Sequence, residues 1–231
     1  MKVPVIVVLV AGVLVSAGCS SSGGSKAPKV LPYRHAPVGS VLTYRVDQQA
    51  VPLVVSVANV KGMAAGQAYT VRETRGGASE TRTVVVGADG SETQALAPIA
   101  LKDGDELLFV NPVEVPSAAI LATRKPFSET NSLYLKGGNR ADELPVSVVI
   151  TGGDISKITV AAGTFLAQEI DVSISIQLPD PSKDVAVDID SERAAGVGNV
   201  RIVTSERFGD TGTPIVHTNE LTRFVAGKTL A

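Results

Sequence analysis

Alternation of apolar and polar residues dominates the chain. In Ile170-Asp171-Val172-Ser173-Ile174-Ser175-Ile176-Gln177-Leu178 every second residue is apolar over nine positions, the period of a strand with one face on a core and the other in water. Val185, Val187 and Ile189 alternate with Asp184, Ala186, Asp188 and Asp190 in the same way. Elsewhere Val, Ile and Thr gather in short runs bounded by Gly, Pro, Asp or Asn. The pattern predicts strands near 40–47, 51–60, 67–75, 80–87, 91–96, 105–110, 145–151, 155–161, 164–178, 184–190, 197–208 and 214–225. Ala88-Asp89-Gly90 and Thr151-Gly152-Gly153-Asp154 read as hairpin turns. Helical periods are scarce; the one candidate is Ser117 to Arg124, with Ser117 as cap and Pro116 and Pro126 as brackets. The implied fold class is all-β, as one large antiparallel sheet with a wet face, in which Ser117 to Arg124 is either a short helix or only a turn.

The first residues have a different pattern. Met1-Lys2 precedes an uncharged apolar run from Val3 to Val15 that closes on Ser16-Ala17-Gly18-Cys19. A charged start, about a dozen apolar residues and a small-residue exit make a secretory signal, and the run is shorter than the roughly 20 apolar residues of a spanning helix. The exit resembles the lipobox at which bacterial lipoproteins are cleaved, although Ser16 stands where Leu is usual, with Leu14 and Val15 upstream. That resemblance implies a diacylglyceryl thioether and acyl chains such as palmitate on Cys19. Two or three acyl chains, at about 0.8 kcal/mol per buried methylene, hold a protein on a bilayer lastingly. Ser20 to Lys29 is rich in Ser and Gly, a coil that lifts the remainder of the chain roughly 15 to 20 Å off the surface. The expected organisation is therefore a signal peptide over 1–18, lipidated Cys19 and tether over 19–30, and a single β domain over 31–231.

Composition narrows the chemistry. Cys19 is the only cysteine, so lipidation leaves no thiol for disulfides, metal or catalysis. With 21 basic and 23 acidic residues, no basic stripe favours nucleic acid. Hydrophobic residues make up 44% of the chain, enough for one core, and the domain is expected to be monomeric.

Three segments together resemble a broad group of bacterial envelope proteins. Ala36-Pro37-Val38-Gly39-Ser40-Val41-Leu42-Thr43-Tyr44 corresponds to its early strand. Ile158-Thr159-Val160-Ala161-Ala162-Gly163-Thr164-Phe165 matches its V-x-V-P-A-G-T-F pair. Ala194-Ala195-Gly196-Val197-Gly198-Asn199-Val200-Arg201, with Glu220-Leu221, matches its closing P-G-V-G-x-V-K hairpin. The chain departs in lacking Trp and in carrying Ala161 and Ala195 where the group has proline. The resemblance implies a strongly curved antiparallel sheet or half-barrel, similar to that of the Lol-type lipoprotein carriers. The group has no established activity, so no catalytic residue carries over. The glycines have a local reason as well: Gly163, between two apolar strands, can take positive φ without Cβ strain, and Gly196 and Gly198 can bend a strand over the edge of a curved sheet.

The candidate chemistries are thin. A nucleophilic triad needs a base, and the only histidines are His35, in a Pro-flanked segment, and His217, inside an apolar strand. Both read as exposed or packing residues, and no Gly-x-Ser-x-Gly turn presents a serine. Asp180, Asp184, Asp188, Asp190 and Glu192 could suggest calcium, but they lack the loop glycine and read as a solvated strand face that discourages edge pairing. Gly196-Val197-Gly198 is followed by no helix, so it is no phosphate loop. Aromatics are 4% of the chain with no Trp, a poor supply for stacking sugars.

The expectation is thus a non-enzymatic, membrane-anchored envelope lipoprotein without cofactor or metal, binding or scaffolding a lipid or an envelope protein. The alternatives are a lipid or lipoprotein carrier with an apolar cavity, and a hydrolase of an envelope polymer. The hydrolase would gain if Asp142, Glu143 and the Asp184 to Glu192 group converged with raised pKa values. Ser20 offers no inner-membrane retention charge, so in a two-membrane host the expected site is the outer membrane, facing the periplasm; with one membrane it is the outer face of the plasma membrane. Cys19→Ala should abolish membrane association and leave an unprocessed or soluble form, and Ser20→Asp should move the protein to the inner membrane of a two-membrane host, both read by fractionation. Globomycin-insensitive maturation of the unaltered chain would contradict lipidation at Cys19.

Overall fold

Each alternating run puts its apolar set on one side, and neighbouring runs bury those sets together once their register is aligned. The computed structural model describes residues 35–47, 49–96, 99–100, 106–137, 143–178, 184–209 and 212–227. The signal segment, Cys19, the tether, Asp142 and Asp180 lie outside them. Fourteen strands form one sheet: β1 (Val41–Val46), β2 (Leu53–Met63), β3 (Gly66–Arg75), β4 (Ala78–Gly87), β5 (Glu92–Gln94), β6 (Ile99–Ala100), β7 (Glu106–Phe109), β8 (Val113–Val115), β9 (Phe127–Leu135), β10 (Leu144–Val160), β11 (Gly163–Ile176), β12 (Val185–Ala194), β13 (Gly198–Phe208) and β14 (Ile215–Val225). A single four-residue helix, α1 (Ala118–Leu121), precedes β9.

The order across the sheet is β6-β7-β9-β10-β11-β12-β13-β14-β1-β2-β3-β4-β5-β8. Every pairing is antiparallel. The sheet stays open, since β6 and β8 at its ends do not pair with each other. It is nevertheless curled. After β7 the chain runs along β9: Val110 N–H donates to the Ser132 carbonyl at 2.8 Å, and the Asn131 amide donates to the Asn111 carbonyl at 3.0 Å. Glu114 N–H then donates to Glu129 Oε2 at 2.9 Å, so β8 at one end of the order lies beside β9 near the other. The single antiparallel sheet predicted from the alternation is what the chain forms.

The predicted turn at Thr151-Gly152-Gly153-Asp154 is a correction. β10 runs straight through these residues, paired with β11 on both sides of a register slip between Gly152 and Ile155. The glycines serve another purpose. A Cβ on Gly152 would sit 2.2 Å from the Leu121 carbonyl oxygen, and one on Gly153 would sit 2.5 Å from Glu169 Oε2. They admit a close backbone approach and a bulge, which are the other uses of glycine in a strand.

Beyond that slip the β10–β11 hairpin leaves its neighbours. Pairing to β9 stops at Ile150 and pairing to β12 stops at Ala167. The buried face of β11 changes with it, from Ile170, Val172, Ile174 and Ile176 to Ala167. The outer half folds onto the face of β14 and β1 that presents Leu221, Leu42 and Tyr44, where Val160 and Ala167 share their cluster and Ala162 N–H donates to the Leu221 carbonyl at 3.2 Å. The second cluster fills the other half of the concavity, from Leu107 and Leu133 through Val148 and Ile174 to Ile189 and Ile202.

Other local readings shift for identifiable reasons. β9 escaped notice because two of its inward positions, Glu129 and Asn131, are polar and break the alternation. β6 and β8 are two and three residues long, below what a pattern can reveal. Ser117 precedes α1 without making a side-chain cap bond, and the helix is followed by Arg124 at φ 56°. Gly163 does take positive φ, at 139°, and Gly196 and Gly198 take it too, at 87° and 86°, in the turn that leads from β12 into β13. The Asp184 to Glu192 run does not guard an edge: β12 pairs with both β11 and β13.

One buried bond ties the early strands to the late ones, with Tyr44 O–H donating to the Asn199 carbonyl at 2.9 Å. Tyr44→Phe should keep the packing and lower unfolding free energy by about 1–2 kcal/mol, measured by urea denaturation. No change in midpoint would show that this link contributes nothing.

Candidate ligand groove under the helix

The helix owes its position to Pro116 and Ser117, both buried after β8, and to the absent side chain of Gly152 beneath Leu121. Between α1 and the β10–β11 hairpin lies a groove of about 450 Å³, counting the part open to solvent. Pro116, Ala118 and Leu121 line one side, Ile155, Leu166 and Ile170 the other, and Gln168, Arg193 and Ala195 complete it. Leu166 is 45% exposed.

The groove is lined mostly by apolar residues, with Gln168 and Arg193 as its polar side chains, and Glu92 lies behind the lining. Arg193 pairs with Glu92, whose residue has no exposed surface at all. The pair compensates its charges, and removing Arg193 would leave the buried Glu92 carboxylate uncompensated at a cost of about 3–5 kcal/mol. Glu92 Oε1, Gln168 Nε2 and both amide atoms of Gln94, two residues along β5 from Glu92, are buried without a hydrogen-bond partner. Sequence reasoning missed these residues. Ser91-Glu92-Thr93-Gln94 reads as an ordinary polar strand, and nothing local connects Glu92 to a residue 101 positions away.

The residues singled out from the sequence lie elsewhere and do not come together. His35 is 1% exposed and stacks on Tyr69, with ring centroids 4.1 Å apart and an interplanar angle of 15°. Burial lowers its pKa to about 3, against a backbone bond near Ala36 that raises it, and the Arg193 and Arg82 guanidiniums lower it further. His217 is buried opposite Thr204; its pKa is lowered by burial first, while Asp47 opposes and Arg75 assists the shift. Both histidines are packing residues, neutral at pH 7.

The acidic residues of β12 lie on the outer face. Asp188 accepts from Ser173 Oγ at 2.8 Å, Asp190 stands opposite Asp171, and Glu192 pairs with Arg201. The ladder continues across the sheet, since Glu220 lies opposite Arg201 and pairs with Arg45 at 3.3 Å. Asp171 has a raised pKa, from burial and then from Glu169 and Asp190. The other raised carboxyls, Glu73 and Glu206, sit on β3 and β13, each raised first by burial. Glu143 is exposed beside β10. Among the described residues no three His, Asp or Glu side chains form a group that could hold a metal ion. No helix among them is long and apolar enough to cross a membrane.

Comparison with known proteins shows the fold alone. No family model and no curated protein matches the chain. Two solved structures do. A Bacteroides fragilis protein named as exported, with a YmcC-like fold, is 15% identical with a TM-score of 0.54, over 82% of this chain and 97% of that one. A Parabacteroides distasonis protein named as a lipoprotein is 14% identical with a TM-score of 0.50, over 82% and 96%. The curved open sheet is therefore an architecture found in proteins so named.

The buried histidine gives a pH test. Its folded pKa lies below the unfolded value near 6.5, so the unfolded chain takes up a proton first, and stability falls as pH drops from 6.5 toward 3. His35→Phe, which keeps the stack, should remove about 2 kcal/mol of the loss between pH 7 and pH 5 seen by urea denaturation. Identical pH dependence in the two proteins would show that His35 titrates normally.

Proposed function

We propose that the chain is a non-enzymatic lipoprotein of the cell envelope, anchored through Cys19, that binds another envelope component in the groove under α1. The observation that carries this reading is the pairing of Glu92 with Arg193 beneath an apolar lip. Apolar walls with a few fixed polar groups suit reversible binding. The lipobox at Cys19 and a fold found in proteins named as exported and as lipoprotein support the envelope setting. With Ser20 after the anchor, the site of action in a two-membrane host is the periplasmic side of the outer membrane, and in a one-membrane host the outer face of the plasma membrane.

The carrier alternative needs an interior large enough for an acyl chain. The concave side is instead filled by two apolar clusters and the folded-over hairpin, which favours a surface groove over an internal cavity. A hydrolase would need its raised carboxyls in one cleft, whereas Asp171 faces outward and Glu73 and Glu206 stand on separate strands turned inward.

Native mass spectrometry of the lipoprotein released from its own membrane tests the binding reading. A companion mass held non-covalently at close to one per chain is expected, and Leu166→Asp at the groove lip should reduce it severalfold. A clean mass without companion across several preparations would sink the proposal.

A further inference from the structure

The groove opens onto a face that combines exposed aliphatic side chains with lysines. Beyond the register slip, Ile155 and Lys157 alternate onto one side of β10, and Leu166 stands directly across from Lys157 on β11. Ile155 and Leu166 line the groove, and Lys157 is exposed beside them. On the other side of the groove, Ile120 of α1 is 43% exposed, close to the value for Leu166. Arg124, just after the helix, pairs with Asp154 of β10, so Lys125 and Lys157 lie within a few residues of one contact. Asp154 is thereby neutralised, and among the described residues neither lysine makes an ion pair. The lysines give this face a positive charge on a chain whose formal net charge is -2. Aliphatic side chains beside exposed ammonium groups match an anionic bilayer, where the former enter the headgroup layer and the latter stay at the phosphates.

The place of the anchor points to the same partner. The described residues begin at His35, which is buried near enough to Arg193 for that guanidinium to lower its pKa, and Arg193 lines the groove. Fifteen residues separate His35 from Cys19. Fully extended they span at most about 55 Å, so a bilayer that holds Cys19 stays within reach of this face at high effective concentration. Resting on the anchor and groove reading above, we infer that the groove face is the side of the molecule that lies on the bilayer, with Ile120 and Leu166 in the headgroup layer and Lys125 and Lys157 over anionic phospholipid. The envelope component that the groove meets is then the lipid of the anchor's own membrane.

The test places the lipidated full chain in nanodiscs of phosphatidylcholine, alone or mixed equally with phosphatidylglycerol, with isotope-labelled Ile and Leu methyls and a nitroxide on a fraction of the lipid headgroups. Ile215 is the reference: it is exposed and level with Ile174 on β11, eight residues along the strand from Leu166. Relaxation enhancement at Ile120 and Leu166 should exceed that at Ile215 severalfold in the anionic discs, and should fall toward it in phosphatidylcholine alone or at high salt. Lys125→Glu combined with Lys157→Glu should remove the preference for anionic discs with an unchanged far-ultraviolet spectrum. Ile120→Asp, outside the groove lining, should weaken the contact severalfold while leaving a phospholipid companion in native mass spectrometry in place. Equal enhancement at Ile215 and Leu166, or indifference to the double lysine variant, would overturn the inference while the groove reading survives on its companion mass. A one-to-one companion other than phospholipid would overturn it as well and leave the groove as a site for another molecule. Elution of the chain apart from the discs would remove the anchor reading and the inference with it.

Discussion

The concave side of the molecule depends on two missing side chains. At Gly152 and Gly153 the β10–β11 hairpin slips one residue in register, admits the Leu121 carbonyl and parts from β9 and β12. Any Cβ at Gly152 would fall 2.2 Å from that oxygen, well inside contact distance, so α1 and the hairpin could not both keep their places. Because the hairpin leaves the sheet there, its outer half can cover β14 and β1, and a groove opens between it and the helix. A sheet of this size with one uncovered concave face would expose Leu42, Tyr44 and Leu221 to water. The folded-over hairpin substitutes for a second layer.

Much of this architecture was legible in the sequence. β11 and β12 stood out because strict alternation over seven to nine residues admits few readings other than a half-buried strand. Alternation reports on neighbours only while a strand stays in one environment. Where β11 exchanges one packing partner for another, the buried parity switches from even to odd positions, and the local pattern around Ala167 and Leu166 loses its meaning. The glycine pair misled for a related reason. Gly-Gly signals permissive backbone, and a turn and a close approach both exploit that permission. The buried pair behind the groove carried no local signal, because Glu92 and Arg193 acquire their roles only by meeting across the concavity.

Charge is sorted by face. Outside, Glu192, Arg201, Glu220 and Arg45 alternate in sign across four adjacent strands, an exposed ladder of which each pair contributes at most about 1 kcal/mol. Inside, the ionisable groups are more constrained: Arg82 pairs with Glu73, Arg193 pairs with Glu92, and His35 is kept neutral by burial first and by both guanidiniums after it. Acidification would weaken the interior at His35, since an imidazolium there is desolvated and repelled by both guanidiniums.

The segment that precedes β1 has a mechanical consequence. His35 and Ala36 are buried, and Ser40 is clamped on both sides, its carbonyl accepting from Val57 N–H at 3.0 Å and its hydroxyl from Gly227 N–H at 2.8 Å. β1 itself lies between β14 and β2. Tension applied to the chain ahead of His35 therefore meets an inlaid strand end-on, and several main-chain bonds on both flanks share the load before any one can yield. A body loaded at that point can be dragged without first being peeled open.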